Sequence, residues 1–131
     1  MPNVNDAAVA AMLEVVGQLS LELAFAEAGK DTGLLPVNSF VMQLEEQVQK
    51  QSAPNEISQA VKLARACIDR VFESSAKFEA DSLAWLGAWQ SWMQTALERW
   101  QAGQPLPESP AGWGQHWRGR QARFADRARR R

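Results

Sequence analysis

Four of the chain's six tryptophans fall within residues 83–100, LAWLGAWQSWMQTALERW, and their spacing limits what this stretch can become. At about 100° per residue, Trp85, Trp89, Trp92, Ala96 and Trp100 share one arc of a helix. Ser82 lies on the same arc but is polar, so the apolar stripe begins at Trp85. Leu86, Met93 and Leu97 widen the stripe, and Gln90, Ser91, Gln94 and Glu98 take the other side. A strand would alternate, and this stretch does not. Large aromatics dominate burial energy, so the stripe is expected to face the core of a helical bundle. Four tryptophans exceed what a small core needs, which leaves a partner- or ligand-binding aromatic face as the second reading.

The rest of the chain supplies three further helices. The first is expected from Asn5 or Asp6 to about Gly29, with Val9, Met12, Leu13, Val16, Leu19 and Leu23 at helical spacing. Leu21 and Phe25 lie four apart on another side, so this helix is apolar over a wide arc and suits a second contact. Gly17 in its middle costs ~1 kcal/mol relative to Ala, which close approach of another helix would offset. Residues 29–33, GKDTG, stop it. A second helix is expected over about residues 38–51, capped by Asn38 or Ser39, with Val37, Phe40, Val41, Leu44 and Val48 inward. A third is expected over roughly 55–75, where Ile57, Ala60, Val61, Ala64, Cys67, Ile68, Val71 and Phe72 step by threes and fours. The Trp-rich helix runs from about Glu79 to Ala102, and Pro105, Pro107 and Pro110 end it. Four helices with short connections predict an all-α fold, an antiparallel four-helix bundle over residues 1–108. Residues 109–131 form an Arg- and Trp-rich tail, expected as an additional C-terminal helix or a basic extension.

At 131 residues the chain has room for one modest core, and 46% apolar with 22% charged residues fits a soluble globular protein. No uninterrupted apolar run reaches about 18 residues, so no transmembrane helix is expected. One cysteine, Cys67, allows no intrachain disulfide and suggests a reducing, cytoplasmic setting. On the apolar stripe, that cysteine reads as a small buried hydrophobe.

The chemistry-bearing residues are sparse. Residues 1–108 hold no histidine and one cysteine, too few for zinc and lacking the Glu-x-x-His pairs of a di-iron bundle. Glu45 and Glu46 are adjacent on a helix and do not face one another. No glycine-rich phosphate loop is present. The expectation is a non-enzymatic protein with no metal and no cofactor. Its partner would be another protein or a second copy, met through Leu21, Phe25, Trp85, Trp89, Trp92 and Trp100.

Charge gives the alternative. The net charge of −1 divides into −7 over residues 1–108 and +6 over 109–131. Trp117 with Arg118, Arg120, Arg123 and Arg127 suits phosphates and stacked bases, so nucleic acid or another polyanion is the second class of partner. A tail lying on the acidic body, or a linker, explains the same residues without a ligand.

The run LAFAEAGKDTGLLPVNSFVMQLEEQV, with AVKLARACIDRVF and LAWLGAWQSWMQTAL after it, resembles helical regions of bacterial chemotaxis-type histidine kinases. These in turn resemble histidine phosphotransfer domains, which are four-helix bundles. The resemblance spans about residues 23–97 and rests on helix length, spacing and small residues. The family's phosphoacceptor motif is His-x-x-Lys-Gly. Residues 116–119, His-Trp-Arg-Gly, are one residue short of it and lie in the tail. At i+2 the basic residue sits about 200° around a helix from the histidine. The resemblance therefore implies a non-phosphorylatable bundle used for docking or dimerisation in two-component or chemotaxis signalling.

Overall fold

The computed structural model describes residues 6–109. It is all-helical, with α1 (Asp6–Phe25), α2 (Leu34–Lys50), α3 (Asn55–Ser74) and α4 (Ala80–Gln101), and no strand among the described residues. The helices pack as a ring: α1 against α2, α2 against α3, α3 against α4, and α4 back against α1.

The stripes read from sequence supply the core. Val9, Met12, Val16 and Leu19 come from α1, and Val37, Val41, Leu44 and Val48 from α2. Helix α3 gives Ile57, Ala60, Val61, Ala64, Cys67, Ile68 and Val71, and α4 gives Leu86, Trp89, Met93, Ala96 and Leu97. Leu63, off the main stripe of α3, is buried as well, because α3 has a neighbour on each flank. Phe72, expected inward, is instead 38% exposed at the last turn of α3.

Two helix limits differ from expectation, and both differences have a local cause. Helix α1 ends at Phe25 rather than Gly29. The Gly29 N–H, which a longer helix would use internally, donates to the Phe78 carbonyl at 2.7 Å. Phe78 N–H answers by donating to Lys30 O at 2.9 Å. These two bonds tie the α1–α2 connection to the α3–α4 connection. Gly29 and Gly33 have φ of +84° and +83°, the left-handed region that glycine enters freely. The second helix starts at Leu34, four residues before the expected limit. Pro36 sits in its first turn, where a missing N–H costs no helical bond. Asn38 and Ser39 are thus interior to α2, and neither caps it. Helices α3 and α4 lie within one or two residues of their expected limits.

The connections also contribute packing. Phe78, in the short junction before α4, is 1% exposed and belongs to the core. After α4, Gly103 (φ +71°) turns the chain back on itself. Leu106 then packs against the core, and the Glu108 carbonyl accepts from Trp92 Nε1 at 3.1 Å. At the same end Gln101 Nε2 reaches Asp6 O at 3.5 Å.

Trp89 is fully buried, stacks on Trp85 at a ring separation of 6.5 Å, and donates from Nε1 to Ala60 O of α3 at 2.9 Å. Removing so large a side chain leaves a cavity. Trp89→Ala is expected to cost ~3–5 kcal/mol. Trp89→Phe, which keeps a ring but leaves Ala60 O one donor short, is expected to cost about 1–3 kcal/mol. Thermal and denaturant unfolding followed by circular dichroism checks both; a Trp89→Ala protein as stable as wild type would contradict the assigned role.

Candidate functional site

The six residues expected at a partner surface divide into two groups. Trp85, Trp89 and Trp92 are buried within the chain, at 8%, 0% and 7% exposure. Trp100 is half-buried beside the returning segment and lines an open groove with Pro54, Glu56 and residues 103–109. Leu21 and Phe25, by contrast, are 64% and 74% exposed at the C-terminal end of α1. The structure therefore does not bring the six together. The tryptophans are taken up by α3, α4 and the segment that folds back, and the two α1 residues remain at the surface.

Helix α1 is long and apolar enough to cross a membrane by length and composition, yet only 22% of that stretch is buried. Glu14 and Glu22 interrupt it, so a search for an unbroken apolar run passes over it. Its four core residues hold one side inside the bundle. The outer side carries Ala7, Ala10, Leu21 and Phe25, all exposed, with Glu14 and Gln18 between them.

A second cluster centres on Arg65 of α3, a residue off that helix's apolar stripe. Its Nε donates to Glu45 Oε1 at 2.9 Å, and its Nη1 to Asn38 Oδ1 at 2.8 Å and Asp69 Oδ1 at 3.2 Å. Nη2 is buried and donates to no acceptor among the described residues. Burial acts to lower the Arg65 pKa, but the hydrogen bonds it donates to Glu45 and Asp69 outweigh it, and the net shift is upward. The guanidinium thus stays charged, and it fastens α2 to α3. The signal in the sequence was faint: an arginine one turn from Asp69, with Glu45 and Asn38 on a different helix.

Cys67 is buried, and desolvation, with Asp81 nearby, pushes its thiol up to about 12. No group of three or more His, Cys, Asp or Glu side chains is placed to hold a metal ion among the described residues. Trp117, Arg118, Arg120, Arg123 and Arg127, expected at a polyanion surface, lie outside the described residues, as does His116. No family model, curated protein or solved structure matches the chain.

Two outcomes are expected. Cys67 resists alkylation at pH 8 in the folded chain and reacts once the chain is unfolded; rapid labelling of the native protein, read by mass spectrometry, would contradict its burial. The raised pKa also fixes a sign. An unfolded thiol ionises near its ordinary value of 9.0, while the folded one waits until about 12. Over that interval the folded state binds more protons, so stability falls as pH rises. Cys67→Ala should remove this part of the alkaline slope in denaturant titrations.

Proposed function

We propose that the chain is a non-enzymatic helical protein-interaction module, working through the outer surface of α1. The observation that carries this is the pair Leu21 and Phe25, at 64% and 74% exposure on a helix that buries only 22% of its apolar stretch. A helix apolar on all sides is normally covered on all sides. Here the bundle covers one arc and leaves the opposite one open. We read the bundle as antiparallel. The paired connections at Gly29 and Phe78, and the contact of Gln101 with Asp6, support that reading.

A docking bundle in bacterial two-component or chemotaxis signalling, the setting the sequence resemblance implies, fits a surface of this kind. Its support is the all-helical fold together with the resemblance. The buried thiol of Cys67 is compatible with a cytoplasmic setting.

A photo-crosslinking amino acid at position 25 is expected to form covalent adducts with protein in cells expressing the chain. The same probe at Glu73, exposed on α3, should give none. Absence of any protein adduct at positions 21 and 25 would remove the interaction reading. Because both residues are exposed, Leu21→Ser and Phe25→Ser should change stability by no more than about 0.5 kcal/mol each.

A further inference from the structure

The interaction reading leaves the covered surface and its occupant unspecified. We propose that the outer face of the α1–α4 pair is a self-association surface, covered by a second copy of this chain. The proposal rests on the interaction-module reading and names the partner of that same surface.

The α1 side of the face is the open apolar arc already described, with Leu21 and Phe25 exposed. The α4 side follows from one bond. Gln90 Nε2 donates to Val16 O at 3.4 Å, which marks the flank of α4 turned toward α1. Leu83, Gly87 and Gln94 stand at i−7, i−3 and i+4 from Gln90 and share its stripe, and all are half-buried. No charged side chain occurs anywhere in residues 82–97, and α1 carries only Asp6, Glu14 and Glu22. The contact between Gln90 and Val16 also sets Gly17 and Gly87 at similar height, within about one turn. Among the described residues, a Cβ built on either glycine would meet nothing within 4 Å beyond its own stretch of helix. The fold itself therefore does not use the missing side chains, and the middle of the face is open to another backbone.

Charge selects the occupant. Helices α2 and α3 carry ion pairs of Lys50 with Glu46 and of Arg65 with Glu45 and Asp69. A two-fold contact sets a patch against its own copy, so a charged patch on an acidic body opposes itself. On the α1–α4 face that conflict is small: residues 82–97 bring no charge, and the outer arc of α1 brings one exposed carboxylate, Glu14. A lipid surface fits less well, because Val9, Met12, Val16 and Leu19 tie α1 into the core and the helix has no basic residue. Size agrees too. Two helices of 20 and 22 residues present a face ~30 Å long and ~20 Å wide. With side-chain relief, such a face approaches the ~800 Å² per partner of a standard stable interface.

The test is the mass of the purified full chain by light scattering and sedimentation equilibrium over a wide concentration range. Wild type is expected at twice the chain mass, falling to one chain on dilution. Gly17→Arg and Gly87→Arg should each weaken association by about tenfold or more, with helicity kept by circular dichroism. Lys62→Glu, on α3, should leave the mass unchanged. Gly87→Ala guards against a trivial folding defect: it should stabilise the single chain while weakening the dimer, two effects of opposite sign. A single-chain mass at every concentration overturns the second copy as occupant. If position 25 still crosslinks to another protein, the interaction-module reading survives that result. A dimer indifferent to both arginine substitutions overturns the choice of face.

Discussion

The burial of Trp89 against α3 sets the spacing on which the other contacts depend. Its indole is fully buried, and its N–H donates to Ala60 O, a carbonyl within α3 that has a second lone pair to offer. A ring this large needs small residues opposite. Ala60, Ala64 and Cys67 provide buried small positions on one side of α3. Trp85 stacks on Trp89 with the rings 15° from parallel. Pairing bulky positions on α4 with small ones on α3 lets both helices approach without a void. The single indole hydrogen bond then fixes how the two helices are set against one another.

Much of this was legible in the sequence, and the limits have physical causes. The three- and four-residue steps of α3 and α4 placed both helices within a residue or two, because one face of each is continuously apolar. The start of α2 was less legible. Pro36 reads locally as a break, but in a first turn it removes nothing the helix needs. The end of α1 was not legible, since it depends on Phe78, a residue 49 positions beyond Gly29 that accepts its N–H. The fate of the tryptophans was open for the same reason. Spacing placed them on one arc, but their cover comes partly from Leu106 and Glu108, which return after a turn. Leu21 and Phe25 stood out by spacing alone, because both stay largely exposed on their side of α1.

Charge is divided across the molecule in a way that composition conceals. Arg65 joins α2 to α3 through Glu45, Asn38 and Asp69, so that half of the bundle is held together partly by polar contacts. The α1–α4 half is joined by apolar packing and a few amide contacts, such as Gln90 to Val16 O. The two halves therefore respond differently to solvent. Salt weakens the exposed Glu46–Lys50 pair on α2 and leaves the α1–α4 packing largely untouched.

The turn at Gly103 has a geometric consequence. Trp92 lies about two and a half turns before the end of α4, and Glu108 is hydrogen-bonded beside it. The chain has thus retreated ~14 Å along the bundle before residue 109. Residue 109 therefore lies beside the flank of α4 near mid-height and not at its tip, and the bond at Glu108 holds the returning segment to the helix it has just left.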